Sequence, residues 1–370
     1  PQAALKALDA ELAKAPDGTK PILRALQASW FFAYYQQNQW RFARRSATAD
    51  APGDDIETWD LKRILAEVDQ RFQAALAGKD ALQNLPVTAF ADLFTAGDLG
   101  DTLRPTVYDF IAHQALAFYG MEEVAVSRPE DAFAIEAGSP ALGTTDAFLG
   151  WKPETTDTTS PAYRALRLFQ DLLAFHQADK DRSAFLHCDL KRLRWAESAA
   201  TGSDKPARHE AALRAFIKDN AASPLSADAR QDLAKLLIEA KKSKDAHEVA
   251  SAGFKAFPDH PFGKLCRNIV HELEEKQLQV MVESAWTPAG ASIQVNHKNI
   301  SHVYFRAYPK SWGINTGNID QDPLPDSRDK LRALVKGKPA LAWDMPLPDD
   351  RDFAPRVAEL VAPEGLEAGY

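Results

Sequence analysis

Apolar residues in the first 279 positions recur at spacings of three and four, the pattern of helices that bury one face. The clearest stripe lies in residues 22–42, where aromatic side chains are predicted to form core rather than a ligand cage; they are Trp30, Phe31, Tyr34, Tyr35 and Phe42. A further helix is predicted from Pro105, in its first turn, to Gly120, which stops it. Other helices are predicted at 3–14, 59–68, 161–179 and 189–199, and as two hairpins at 207–242 and 244–279.

The second hairpin has the small-residue, aromatic and proline order of a tetratricopeptide-type helix, "ASAGFKAFPDHP". Ala250, Gly253 and Phe254 allow two helices to pack closely, and Pro258 stops the second helix. The period is not regular, so the pattern predicts a helical array with tetratricopeptide-like hairpins toward its end. This α-helical domain would span residues 1–279, and a long surface loop with short elements at 121–161 would divide it.

Beyond residue 279 the period changes to two, which is typical of strands. Ile293 and Val295 alternate with polar residues, and so do Val303 and Phe305, with Asn299 between the two runs. This order predicts a strand, an Asn-centred turn or bulge, and a second strand. One short helix is predicted within 322–339, and two more strands after it. The second domain is therefore predicted as an all-β sandwich over residues 286–370, incomplete at its C-terminus.

Composition and charge narrow the class of protein. The chain is 45% apolar and 26% charged, which is typical of folded proteins, and its net charge of −8 argues against nucleic acid as the main partner. No apolar run is long enough to cross a membrane. The chain begins without Met or an apolar signal core, so we expect either that a signal has been removed or that a longer protein has been cut. It stops as a strand begins, so we expect the chain to continue past Tyr370.

Two cysteines, Cys188 and Cys266, are too few for a disulfide framework. A single bridge between them and two ordinary buried thiols are both compatible with the sequence. Two cysteines do not settle the redox compartment.

No specific catalytic motif is present. The chain has no Gly-rich phosphate loop, no Gly-x-Ser-x-Gly elbow, no Cys-x-x-Cys and no His-Glu-x-x-His. His176, His187 and Cys188 lie close in sequence and suggest a metal, but their spacing fits no known ligand set; helix-surface or capped histidines are the alternative. The sequence therefore predicts no enzyme activity, no catalytic residue, no cofactor and no metal site.

Other charged clusters have local explanations. His297 and His302 flank the Asn-centred turn, where a solvated cross-strand pair is expected rather than a site. Arg41 and Arg45 share a helical face near Arg44, and salt bridges to the aspartates that follow are favoured over an anion site. Two pairs of adjacent carboxylates are also present, Asp54 with Asp55 and Asp349 with Asp350. In an acidic chain such pairs are common, so they do not indicate a catalytic site.

Several blocks, in this order, resemble the N-terminal region of large bacterial alpha-2-macroglobulin-like proteins. They are "ILRALQASWFFAYYQQNQWRFARRS", "DIETWDLKRIL", "RPTVYDFIAHQAL" and "LLAFH". The stretch "VNHKNISHVYFRAY", with Asn299 ahead of the Phe305–Arg306 pair, is similar to the first macroglobulin-type β-domain of that family. "WDMPLPDDRDF" and "PEGLEAGY" resemble later strands of the same domain.

The resemblance implies a periplasmic or cell-surface protein whose full-length parent inhibits endopeptidases by trapping them. The family's thioester motif, Cys-Gly-Glu-Gln, is missing, because Cys188 is followed by Asp and Cys266 by Arg. The resemblance thus implies a non-catalytic scaffold or interaction portion, with a protease or an envelope protein as partner of the parent. The domain at 286–370 would then be a macroglobulin-type sandwich.

Two other hypotheses stay open on the residues alone. One is a helical-repeat module that binds a protein or peptide and carries an appended β-domain. The other is a helical enzyme whose site is assembled from distant residues such as Asp109, His113, Glu122 and His176. A glycan enzyme of this kind would need two carboxylates facing a groove.

Overall fold

The computed structural model describes residues 2–43, 56–92, 97, 99–121, 132–282, 292–308 and 327–361. The chain divides into two compact units, residues 1–233 with 256–264 and residues 234–255 with 265–370. The described part is mainly helical, with a few antiparallel strands late in the chain. The coarse prediction of helices followed by strands is therefore confirmed. Among the described helices, none has the length and apolarity needed to cross a membrane.

The helices α1 to α10 belong to the first unit. They span Gln2–Lys14, Lys20–Gln37, Gln39–Ala43, Leu61–Leu76, Lys79–Gln83, Val107–Tyr119, Thr145–Leu149, Pro161–His176, Ser183–Ala199 and Lys205–Asp219. Next come α11 to α13, which span Leu225–Glu239, Ser243–Ala256 and Pro261–Glu274. The predicted hairpin at 207–242 thus contains α10 and α11, and the one at 244–279 contains α12 and α13. Short 3-10 turns lie at Ile56–Thr58, Val87–Phe90, Asp101–Leu103 and Pro140–Leu142.

Local caps set the ends of α6. Thr106 accepts a hydrogen bond from the Asp109 amide, and Asp109 accepts one from the Thr106 amide at 2.9 Å, so the helix starts at Val107. Pro105 lies before this capping box, not in the first turn as predicted. Gly120 follows the last residue of the helix, as predicted.

The aromatic stripe of α2 and α3 is mostly core. Phe31, Tyr35 and Phe42 are buried, and Phe31 stacks on Trp59 with ring centroids 5.5 Å apart. Trp30 is 47% exposed, so its assignment to the core was wrong. A helix face buries only a limited arc, and Trp30 lies just outside it.

Residues 132–161 are more buried than the predicted surface loop. The strand β1, Ile135–Glu136, pairs in parallel with β2, Ala200–Thr201, directly after α9. Side chains of this segment enter the core; they are Ile135, Ala137, Ala141, Leu142 and Phe148. The predicted short elements are present, but the segment is held against α8 and α9 instead of wrapping the surface.

After α13, the described residues of the second unit form five strands and one helix. The strands β3 to β7 span Gln277–Val282, Ser292–Lys298, His302–Ala307, Leu341–Pro346 and Arg356–Val361, and α14 spans Arg328–Val335. The helix within 322–339 and the two strands after it are as predicted. The helical pattern was extended too far, because α13 ends at Glu274 and residues 277–282 form β3.

The strands form two small antiparallel sheets, ordered β3–β4–β7 and β5–β6. The two strands that flank Asn299 do not pair with each other, so the turn carries the chain from one sheet to the other. Side chains from both sheets share one apolar cluster; it contains Ile293, Val295, Val303, Leu347, Ala358 and Leu360.

The turn at Asn299 also caps α13. Asn299 has a positive φ of 56°, a conformation that asparagine tolerates better than most residues. Its Nδ2 donates to the carbonyl oxygens of Leu273 at 2.6 Å and Glu275 at 3.0 Å. Lys298 Nζ donates to the Glu272 carbonyl oxygen at 2.6 Å. These contacts satisfy carbonyls that a helix end leaves without intrahelical partners.

Candidate functional site

A buried histidine links two carboxylates in the first unit. His176, the last residue of α8, lies with Nε2 2.6 Å from Asp109 Oδ1 and Nδ1 2.7 Å from Asp179 Oδ2. The side chains of His176 and Asp109 are each 1% exposed. The second oxygen of Asp109 accepts from the Thr106 hydroxyl at 2.8 Å. The chain Asp109–His176–Asp179 thereby ties α6 to the end of α8.

This environment favours the charged imidazole of His176. Burial lowers its pKa, but the hydrogen bonds and charges of Asp109 and Asp179 outweigh burial, so the pKa of His176 is raised above its ordinary value. Because the pKa is higher in the folded state, protonation of His176 stabilises the fold. This stabilisation is fully present at pH values below the unfolded-state pKa of about 6.5, and it is lost as the pH rises through the folded-state pKa.

We expect His176→Gln to reduce the free energy of unfolding by about 2 kcal/mol at pH 5.5. The reduction should shrink as pH rises from 6.5 toward 9, because the wild-type imidazole then loses its charge. Urea unfolding of both proteins at a series of pH values measures this difference. A difference that stays constant or grows with pH would show that the charge on His176 does not stabilise the fold.

A pair of histidines lies beside the Asp109–His176–Asp179 group. His113 on α6 and His187 on α9 have ring centroids 5.3 Å apart, and each residue is 7% exposed. Burial, followed by the charges of nearby cations, lowers the pKa of both rings, that of His187 to about 3. Both rings are therefore neutral at physiological pH.

The cysteines give no nucleophile. Cys188 and Cys266 are both buried and form no disulfide with each other, so the structure contains the predicted alternative of two buried thiols. Burial, followed by the charges of Asp189 and Asp109, raises the pKa of the Cys188 thiol well above its usual range. A protonated, buried thiol is inert toward substrates.

The structure brings together three of the residues that the enzyme hypothesis named, Asp109, His113 and His176. Glu122 lies outside the described residues. His187 and Cys188 also lie near this group, but within the described part of the chain no cluster of three or more His, Cys, Asp or Glu side chains could hold a metal. Asp179 was missed, although it follows His176 by three residues.

The predicted pairing of His297 with His302 is wrong. His297 on β4 lies opposite Leu278 of β3 and Arg356 of β7, and it is 3% exposed. His302 on β5 lies opposite Pro346, and its Nε2 is 3.5 Å from Asp344 Oδ2. The two histidines belong to different sheets because the turn at Asn299 does not close a hairpin.

The other charged candidates have local roles or lie outside the described residues. Arg44, Arg45, Asp54 and Asp55 lie outside them, and Arg41 places its guanidinium 5.4 Å from the ring centroid of Trp40. Asp350 accepts from Arg356 at 2.6 Å, and Asp349 accepts from the Arg351 amide at 3.0 Å.

Two open grooves lie in the first unit. The smaller, about 440 Å³, is bordered by Tyr108, Tyr119, Tyr163 and the basic side chains around them. The larger, about 810 Å³, is bordered by Phe133 and Trp151 and by two glutamates, Glu136 and Glu154. Both glutamates are solvent-exposed, unlike the buried acids that serve glycoside hydrolases as proton donors.

The strand β3 exposes an apolar strip in the second unit. Leu278, Val280 and Val282 lie directly opposite His297, Val295 and Ile293 of β4 and therefore share the face that holds the apolar cluster. On β4 these side chains are buried, whereas on β3 Leu278 is 49%, Val280 41% and Val282 55% exposed. The strip therefore extends the apolar face of the β3–β4–β7 sheet past the area that other described residues cover.

Comparison with protein-family models, curated proteins and solved structures finds no match to this chain. The alpha-2-macroglobulin resemblance therefore rests on the quoted residues alone.

Proposed function

We propose that this chain is a non-catalytic protein-binding module that receives an extended segment of a partner protein along β3. The observation that carries the proposal is the apolar strip of Leu278, Val280 and Val282. Its period of two matches the side-chain period of a strand. In the described sheet β3 is an edge strand, so its outer backbone groups offer hydrogen bonds to an added strand.

The chemistry of the first unit supports a non-catalytic role. Asp109 and His176 already satisfy each other at 1% exposure, which leaves no access for a substrate. The Cys188 thiol is buried and protonated. These buried groups stabilise the fold, whereas a catalytic group would have to face a groove.

The proposal extends to the parent protein. We propose that the chain is the N-terminal scaffold of a periplasmic or cell-surface alpha-2-macroglobulin-like protein and that its two small sheets belong to a macroglobulin-type sandwich. The shared apolar cluster between the sheets supports a sandwich arrangement. A reading frame that continues past Tyr370 into further β-domains would support the parent, and a stop codon at that point would oppose it.

Selection from a displayed library of random extended peptides tests binding along β3. We expect enrichment of peptides with alternating apolar residues, and Val280→Lys should weaken their binding about tenfold or more by placing a charge in the strip. Val280 is already 41% exposed, so this variant should fold. Binding affinity is measured by fluorescence anisotropy of a labelled peptide.

Tyr304→Lys is the matched control, because Tyr304 is 76% exposed on β5, in the other sheet. It should leave peptide affinity within about twofold of the wild type. If no peptide is enriched, or if Val280→Lys and Tyr304→Lys weaken binding equally, β3 is not the docking strand.

A further inference from the structure

Two cationic side chains, Arg104 and Lys191, lie around the His113–His187 pair of the first unit. His187 and Lys191 are one helical turn apart on α9, and His113 faces His187 from α6. Arg104 directly follows the 3-10 turn Asp101–Leu103, which packs against α9. The charges of Arg104 and Lys191 act on both histidine rings. We call His113, His187, Arg104 and Lys191 the basic cluster.

The buried nitrogens of the cluster have no protein partner among the described residues. These atoms are His113 Nδ1, His187 Nδ1 and His187 Nε2, and both residues are 93% buried, being 7% exposed. Buried polar atoms in native proteins are nearly always hydrogen-bonded, since leaving one unpaired costs free energy. Three such atoms on two adjacent rings therefore point to a bound polar group.

The charges of the neighbouring side chains favour a negatively charged bound group. Arg104 and Lys191 make no ion pair with a carboxylate in the part of the chain that the structure describes. Arg194, farther along α9, does pair with Asp228 at 2.7 Å and Asp232 at 2.6 Å. A metal cation would be repelled by these two cations, whereas an anion would be attracted to them.

Two acids, Asp109 and Asp228, act on the cations of the cluster, but both already have other partners. Asp228 acts on Lys191, but it accepts a hydrogen bond from Arg194 at 2.7 Å. Asp109 acts on Arg104, but its two oxygens already accept hydrogen bonds from His176 and Thr106. Like charges therefore crowd one another, and the pKa of Lys191 is lowered by burial first and then by Arg104 and Arg194. An anion bound in the cluster would remove this repulsion.

We propose that the basic cluster binds a tetrahedral oxyanion, with phosphate as its simplest form. Arg104 and Lys191 are half-buried, and both histidine residues are buried. Each ring can donate an N–H to an oxyanion, and the two cations supply charge-assisted hydrogen bonds. The ligand is either free inorganic phosphate or the phosphoryl group of a larger molecule.

Calorimetric titration of the full chain with inorganic phosphate, at constant ionic strength set by KCl, tests this proposal. We expect saturable binding of one phosphate, and Lys191→Met should weaken it about tenfold or more because a charge-assisted hydrogen bond is lost. Nitrogen-15 spectra of the histidine rings should show shifts for His113 and His187 on phosphate addition. Lys180→Met is the control, since Lys180 is exposed and outside the cluster.

Phenyl phosphate distinguishes the two sources. Tighter binding than inorganic phosphate would support a site for the phosphoryl group of a larger molecule, and weaker binding would support a site for the free ion. Two results would overturn the proposal. One is the absence of phosphate binding above the KCl background, and the other is an equal effect of Lys191→Met and Lys180→Met on affinity. Thermal unfolding of each variant without phosphate verifies that it is folded.

Discussion

Gly263→Ala is expected to lower the free energy of unfolding by about 3 kcal/mol, although alanine is normally the better residue in a helix. Gly263 lies in the first turn of α13, where a Cβ would overlap the carbonyl oxygen of Phe257 and lie 2.6 Å from its carbonyl carbon. The clash is with backbone, which cannot rotate away as a side chain could. The turn between α12 and α13 must therefore open, and the Phe257 carbonyl oxygen would lose its hydrogen bond from the His260 amide.

Gly78→Ala is the matched control. Gly78 precedes α5 with a φ of −90°, and a Cβ there would meet no heavy atom within 4 Å. We expect its free energy of unfolding to stay within about 0.5 kcal/mol of the wild type. Urea unfolding followed by tryptophan fluorescence measures both variants. Equal stability of Gly263→Ala and the wild type would show that the α12–α13 turn adapts without cost.

The helices could be predicted from the sequence because their signal is local. The three-to-four spacing and the caps of α6 involve residues close together in the chain, so α6 was placed correctly at its C-terminus and to within two residues at its N-terminus. The importance of Gly263 could not be read the same way. Its constraint comes from the path of the α12–α13 turn, and the sequence pattern drew attention to Gly253 instead.

The strands were harder because their partners are distant. Residues 277–282 follow a charged helical stretch without a break, and only pairing with β4 makes them a strand. Alternation placed the strands on either side of Asn299 but could not show which strands they pair with. The sequence suggested that these two strands pair with each other, whereas in the fold they belong to different sheets.

Part of the polar site could be predicted and part could not. Asp109, His113 and His176 were named from the sequence as members of one assembled site, and the fold brings them together. Arg104 and Lys191 carried no signal, because a single arginine before a proline and a single lysine in a helix are ordinary surface residues. Their meeting depends on how the turn before α6 packs on α9.

Arg192 gives the second large expected effect. This arginine is 1% exposed; its Nε donates to Asp189 Oδ1 at 2.8 Å and its Nη1 to the Ala141 carbonyl oxygen at 2.6 Å. Its Nη2 donates to the Gly143 carbonyl oxygen at 3.2 Å, and the guanidinium lies 4.9 Å from the ring centroid of Phe148. One side chain thus fixes the segment that leads into α7 onto α9.

We expect Arg192→Met to lower the free energy of unfolding by about 3–5 kcal/mol, because it leaves the Asp189 carboxylate buried without its cation. Arg214→Met is the control: Arg214 is half-exposed in an ion pair with Glu210, so its removal should cost less than about 1 kcal/mol. Both values come from urea unfolding.

The double variant Arg192→Met with Asp189→Leu separates loss of the ion pair from loss of the tether. If the uncompensated charge causes most of the loss, removing both partners should recover about half of it or more, since a buried pair replaced by apolar residues is often neutral. The carbonyls of Ala141 and Gly143 still lose their donors in the double variant, which limits the recovery. A double variant no more stable than Arg192→Met would instead show that these two carbonyl contacts carry the stabilisation and that the charge on Asp189 is tolerated without its partner.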